Sequence, residues 1–387
     1  MYTKIDNDIL CITGKDAKRF LQNLMTNDIN NLDYIIKYNE STSTSFLSKN
    51  NQPLNFQHKQ THYGFSSTFN TNDLYPKNIC GIHPIDMYKN NVVSYAIYST
   101  ILDNKGRFIF GFFISKMQEQ LLSSFKLKEE SYLIEIDKKD TQKLLNHLLL
   151  YKLNSNVEII SLNDYYVLYT HVLNDEYFRH AIKIYKDPRY KDLGYKVLIN
   201  QFHLKACNNI YKPQLYMDDK YKYAICDGSD LTVNKSIPIE YGFEELGAIS
   251  YHKGCYVGQE IIARAKYYGE VRKKIFYAKC FSSNLNQLSS VKSGAINNKK
   301  EIGQIISLYN SQGILLLRTY NGKLHDDITK YSDFVTLHNL NKNENDNNNT
   351  LCTKSEDEIE YVLEINGLHF GITKAPWYLD KIEKSCS

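Results

Sequence analysis

The sequence predicts an α+β fold, a multi-layer core followed by a small C-terminal β-barrel. Strand-like, helix-like and hairpin-like stretches mix without the strict strand–helix–strand alternation of a doubly wound sheet. From Lys274 onward the chain offers only short strand patterns with turn-like spacers and no helix. At 387 residues it also exceeds one compact module, taking roughly 150 residues per domain. The core is placed at 1–275 and the barrel at 276–387.

The first strand is "DILCIT", Asp8 to Thr13, and "TGKD" after it has the pattern of a capping box. In that box Thr13 accepts from the amide of Asp16 and the Asp16 carboxylate reaches back. The helix it opens carries Ala17, Phe20, Leu21 and Leu24 at three- and four-residue spacing, with Lys18, Arg19 and Gln22 toward water. From about 41 to 90 the pattern dissolves into polar, aperiodic sequence, the composition of an inserted surface loop. His58 and His62 lie there at the spacing of a helical metal pair, but no third ligand accompanies them.

Periodicity returns at Val92–Ser115, two β-branched and aromatic runs joined by "DNKG", which predicts a hairpin. Asp140 to Leu153 reads as an amphipathic helix with Asp140 as N-cap and Leu144, Leu145, Leu148 and Leu149 inward. "VEIISL" and "YYVLYT" are the next strands. "KYKYA", Lys220 to Ala224, alternates like a half-buried strand, a reading preferred over basic and aromatic contacts to a nucleic-acid strand. The barrel strands are "KIFYAKC", "EIGQIISL", "GILLLRTY" and "IEYVLEI", interrupted by a low-complexity insert at about 321–358 that contains "NKNENDNNN".

Composition removes several function classes. The 47 basic and 43 acidic side chains nearly balance, so the one-sided field of a nucleic-acid binder is absent. Hydrophobic residues at 42% and charged residues at 23% are ordinary for a chain that folds. The eight cysteines contain no Cys-x-x-Cys and no paired spacing, which argues against a disulfide scaffold or a self-contained zinc site and for a reducing compartment. No apolar run approaches the roughly 18 residues of a membrane span. The amino terminus enters a strand pattern within its first ten or so residues, so no signal or transit peptide is expected in the sequence as it stands.

The stretch with the most chemistry is "KGCYVGQEIIARAK", residues 253–266. Gly254 and Gly258 permit close backbone approach or a positive φ, and "QEIIARAK" has the propensity to continue as a helix. Cys255 then lies near a helix N-terminus and beside Lys253, two positive potentials that favour the thiolate, the nucleophilic and metal-binding form. The alternative stays open that Cys255 is a small buried residue whose glycines serve a turn. Glu260 and Arg264, four apart, read first as a helical ion pair.

Lys253, Gly254, Cys255, Tyr256, Val257, Gly258, Gln259 and Glu260 match without a gap the motif Lys-Gly-Cys-Tyr/Phe-x-Gly-Gln-Glu. On it the chain resembles the folate-binding aminomethyltransferase superfamily, and within it the branch that assists iron-sulfur cluster maturation, YgfZ-type in bacteria and Iba-type in mitochondria. Weaker matches fall in the family's order at Gly14–Ile29, Asn104–Ile114, Asp187–Lys196, Pro238–Ser250 and in "GQIISLYNSQGILLLR".

The resemblance implies α+β layers around a folate-sized cavity, closed by a C-terminal barrel. It implies tetrahydrofolate as a ligand, with Arg107, Arg189 and Glu240 as candidate contacts. It also implies an A-type iron-sulfur carrier as partner, a transient cluster shared through Cys255 as the metal ligand, and the mitochondrial matrix as compartment. Three positions depart from the family pattern: Gly111 stands where a carboxylate is usual, Lys266, Tyr267 and Tyr268 where histidines are common, and "CDG", Cys226 to Gly228, where Pro-Glu-Gly is preferred. Glycine moves no proton, so the expectation is a non-catalytic assembly factor, and the alternative is a tetrahydrofolate-dependent aminomethyltransferase.

Overall fold

The computed structural model describes residues 2–33, 95–173, 178, 180–204, 214–269, 271–281, 294–298, 300–320, 323–324, 328–330, 361–365 and 368–378. The polar insert with His58 and His62 and the tract "NKNENDNNN" lie outside them. Among these residues three antiparallel sheets make the fold, which is mixed α+β.

The first sheet has strand order β3-β4-β5-β2-β6, formed by β2 (Asn7–Thr13), β3 (Ala96–Leu102), β4 (Phe108–Lys116), β5 (Ser131–Asp137) and β6 (Glu158–Ser161). Helices α1 (Ala17–Leu24) and α2 (Thr141–Lys152) cover one face of it. Successive strand residues point to opposite faces, and β2 shows the consequence: Leu10 and Ile12 meet the helices, whereas Ile9 and Cys11 meet the second sheet. That sheet, in order β1-β7-β9-β8, consists of β1 (Tyr2–Ile5), β7 (Tyr165–Thr170), β8 (Ala181–Lys186) and β9 (Tyr195–Asn200). Between the two sheets sits an aromatic core that includes Tyr98, Phe113, Tyr169 and Tyr185.

The third sheet is the C-terminal half-barrel, in order β11-β12-β13-β10-β17-β16-β15 with β14 on β13. Its strands are β10 (Lys273–Cys280), β11 (Gly294–Asn298), β12 (Lys300–Tyr309), β13 (Gln312–Tyr320), β14 (Lys323–Leu324), β15 (Thr329–Lys330), β16 (Tyr361–Ile365) and β17 (Leu368–Lys374). Phe276, Leu315, Leu317 and Phe370 form its own core; Ile275, Ile314 and Leu316, from the opposite face, join the aromatic core. Two further helices are α3 (Leu215–Lys222), which packs on β1, β7 and β13, and α4 (Gln259–Tyr267), whose Ile262 joins the aromatic core.

Three local expectations are corrected. The capping box at "TGKD" does not form: Asp16 is the N-cap without a side-chain cap bond, and its carboxylate accepts instead from the amide of Asn156 at 2.7 Å. Thr13 remains inside β2, where its hydroxyl accepts from Ser131 at 2.8 Å, so the tertiary partners of both residues outbid the local pairing. On α2, Leu144 and Leu148 are buried but Leu149 is 51% exposed, because the helix touches the sheet along a narrower stripe than four leucines imply. "KYKYA" belongs to the end of α3 rather than to a strand. Its Lys220 turns inward onto Asp227 at 3.0 Å and Asp230 at 2.8 Å, and that buried partner set decides the conformation over the alternating pattern.

Candidate functional site: the Cys255 loop

Helix α1 ends at Leu24, and the residues after it, Met25 to Asn27, are buried although two of them are polar. Buried polar groups require partners, and these find them on both sides. Toward β3, the Thr26 amide donates to the Thr100 carbonyl at 2.9 Å and the Asn27 amide to the Ser99 hydroxyl at 3.0 Å. Asn27 Nδ2 also donates to the Tyr98 carbonyl at 2.8 Å. Toward the segment that precedes the cysteine, Thr26 Oγ1 donates to the Ala248 carbonyl at 2.8 Å and Asn27 Nδ2 to the Gly247 carbonyl at 2.7 Å. The Ser250 amide donates back to the Thr26 carbonyl at 3.0 Å.

Lys253 completes this joint. Its side chain is buried, and its Nζ donates to the carbonyls of Gln22 at 2.6 Å, Asn27 at 2.8 Å and Met25. An ammonium has three N–H donors, and all three are used. Burial pushes its pKa down to about 7, with Asp28 pulling the other way. The carbonyl acceptors and the negative end of the α1 dipole also favour the cation. The Lys253 donors thus face the end of α1, because a buried ammonium must satisfy each N–H.

Beyond Lys253 the chain emerges. Gly254 and Cys255 are exposed, and a side chain added at Gly254 would meet nothing within 4 Å. The described cysteines Cys11, Cys226 and Cys280 are all buried. Tyr256 returns the chain to the core, and Gln259 ties the turn by accepting from the Tyr256 amide at 3.3 Å. Gly258, at φ 79°, caps α4; a Cβ there would lie 2.4 Å from the Asp103 carbonyl oxygen. The second glycine thus seats the helix on the β3–β4 turn, where Gly106, at φ 67°, returns the close approach. Cys255 precedes this cap by three residues. Glu260 and Arg264 are exposed and form no ion pair among the described residues.

Of the folate candidates, Arg107 and Glu240 lie close enough to interact, and Arg189 sits among buried aromatic rings. Arg189 is buried, its guanidinium paired with Asp187 at 2.9 and 2.6 Å and with the Tyr216 hydroxyl at 3.0 Å, against the rings of Tyr98 and Phe113. Burial raises the Asp187 carboxyl, yet Arg189 outweighs it and holds the group below its ordinary value. Arg107 donates to the Lys235 carbonyl at 2.8 Å. Glu240, nearby, is raised by burial against the pull of Lys273, Arg107 and Arg318.

Gly111 packs against Gly228, and a Cβ at Gly111 would lie 2.5 Å from the Tyr98 hydroxyl. The space a side chain at Gly111 would need is thus taken by Tyr98. Asp227, in "CDG", accepts from Ser229, Lys220 and Tyr216. Burial raises its carboxyl, but Lys220 and Arg189 bring it well below its ordinary value. In this set the carboxylates and cations pair with one another, and Arg189 Nη1 and Tyr98 Oη are left as buried polar atoms without a hydrogen-bond partner among the described residues. Among the described residues no cluster of three or more His, Cys, Asp or Glu could hold a metal ion.

Sequence reasoning found the exposed thiol but gave no role to Thr26 and Asn27. The available signal was two polar residues directly after the apolar face of α1.

No protein-family model matches the chain. The protein named iron-sulfur cluster assembly factor IBA57 homolog, mitochondrial, from Dictyostelium discoideum is 28% identical over 216 residues, 48% of this chain and 53% of that protein. Iron-sulfur cluster assembly factor IBA57, mitochondrial, from Mus musculus is 26% identical over 249 residues, 59% of this chain and 67% of its own length. The chain spans about half the length of the first curated relatives it matches. Among solved structures, the glycine cleavage system aminomethyltransferase T from Bartonella henselae superposes with a TM-score of 0.49 at 10% identity, covering 97% of this chain and 85% of that one. Over about half of its length the chain is thus similar to proteins named iron-sulfur cluster assembly factor IBA57.

Proposed function

We propose that the protein assists iron-sulfur cluster assembly together with an A-type cluster carrier, and that Cys255 lends one thiolate to a cluster shared with that carrier. The observation that carries this reading is the exposure of Cys255 on a loop whose flanks are anchored in the core. A cluster needs several thiolate or imidazole ligands, so one exposed sulfur serves only in combination with ligands from another protein. Iron binds the thiolate form, and exposure leaves the sulfur within reach of a partner. The cluster is cargo here, and no covalent step on an organic substrate is assigned to this chain.

The reading includes the mitochondrial matrix as compartment, supported by the names of the relatives. It routes no step through tetrahydrofolate; the unpartnered Arg189 Nη1 and Tyr98 Oη beside Gly111 are the polar atoms such a ligand would meet. It treats the chain as a non-catalytic factor: Gly111 supplies no carboxylate for aminomethyl transfer, and the Tyr98 hydroxyl closes the space where one would stand. Expected in an anaerobic mixture of the protein, an A-type carrier, iron and sulfide is a cluster-bearing complex detected by absorption and size-exclusion chromatography. Cys255→Ser should lower its yield at least about tenfold, and an undiminished yield rejects the reading.

A further inference from the structure

Two distant stretches of sequence, "MTND" at 25–28 and "HKGC" at 252–255, are joined in the structure by bonds that neither stretch makes alone. We propose that Lys253 is a positioning residue, clamping the Cys255 loop onto the end of α1 through the carbonyls of Gln22, Met25 and Asn27, so that the thiol is presented from a fixed base. The clamp is geometric. Three acceptors converge on a single nitrogen, which suits the compact ammonium of lysine and not the planar fork of arginine.

Its companions act on the same joint from the other side. Thr26 Oγ1 and Asn27 Nδ2 hold the carbonyls of Ala248 and Gly247, upstream of Lys253. Downstream, Tyr256 is buried and Gly258 seats the start of α4 on the β3–β4 turn. The loop is thus pinned before and after the cysteine, while Gly254 and Cys255 stand free of packing. A scaffold that shares a ligand with a second protein gains from this arrangement: a thiolate held at one place costs less ordering on complex formation than one on a mobile loop.

The consequence for cluster sharing rests on the function proposed above; the clamp itself does not. The test compares wild type with Lys253→Met, which removes the donors, and Lys253→Arg, which keeps the charge and changes the geometry. Peptide-resolved hydrogen exchange on the free protein should speed at least about tenfold over 22–28 and 247–258 in both variants, with strands β2 and β5 unchanged. The pH midpoint of Cys255 alkylation by iodoacetamide, read by mass spectrometry, should stay where it is in both.

Unchanged exchange in the two segments overturns the clamp. So does an upward shift of the alkylation midpoint in Lys253→Met that Lys253→Arg restores, since that pattern belongs to an electrostatic helper of the thiol. Yield of the shared cluster should fall in Lys253→Arg despite the retained charge, and a wild-type yield in that variant also overturns the proposal. If Cys255→Ser leaves cluster assembly intact, the functional reading fails, while the exchange result still decides the clamp. Should Lys253→Met fail to fold, Lys253→Arg carries the exchange and assembly arms.

Discussion

Cys226 and Cys255 each sit in a short loop with a glycine within two residues, yet their surroundings are opposite. Cys226 is fully buried, and burial raises its thiol well above the ordinary value, with Asp230 adding to the effect. The next residues, Asp227 and Gly228, are locked against Lys220 and against Gly111. Cys255 is exposed beside a glycine that touches nothing. The difference teaches that a cysteine with a glycine close by in sequence has no fixed meaning. What matters is where the neighbouring polar side chains send their bonds. Around Cys226 they close a knot, and around Cys255 they fasten the base of the loop and leave its tip free.

The largest effect is expected from breaking the buried knot. Arg189→Met leaves Asp187 without its partner in a buried site and should cost about 3–5 kcal/mol in urea unfolding. A loss below about 1 kcal/mol would mean that water reaches the pair and the two loops differ less than described. The same variant should begin to expose Cys226 to alkylation under native conditions.

A second prediction concerns burial itself. Burial, helped by Lys116, pushes the pKa of Lys183 down to about 7. Unfolded, a lysine titrates near about 10.4, so between these values the unfolded chain binds more protons than the folded one. Stability contributed by this site should therefore rise as pH rises from about 7 to about 10.4. Lys183→Met should flatten that slope in a series of denaturation curves, and an equally steep slope in the variant would contradict the assigned burial.

The smallest effects sharpen the comparison most directly. Cys226→Ser buries a hydroxyl in place of a thiol and should cost about 1–3 kcal/mol. Cys255→Ser should leave the denaturation midpoint unchanged. In the native protein iodoacetamide should label Cys255 and spare Cys11, Cys226 and Cys280 until unfolding. Labelling of Cys226 at a comparable rate would remove the contrast.

Much of this was legible before any coordinates. The apolar spacing of α1 named the same four residues that are buried, since a 3.6-residue period puts them on one face whatever they pack against. The β3–β4 hairpin was announced by "DNKG", whose glycine supplies the positive φ the turn needs. Cys255 stood out because Gly-Cys-Tyr-x-Gly is an unusual setting for a thiol. The failures share a cause. "TGKD" and "KYKYA" were read from neighbours in sequence, while Asp16 and Lys220 found better partners far away in Asn156, Asp227 and Asp230.

The sequence by itself determined which residues are apolar, with what period, and where glycines allow the chain to turn. Those properties are local, and they suffice for an α+β chain with an all-strand C-terminal part. Only the tertiary structure decided where each buried charge spends its hydrogen bonds. A buried donor must find an acceptor, and which acceptor is near depends on how distant segments pack. That requirement sends the Lys253 ammonium to the end of α1, closes the space beside Gly111 with a tyrosine, and leaves one described thiol in the open.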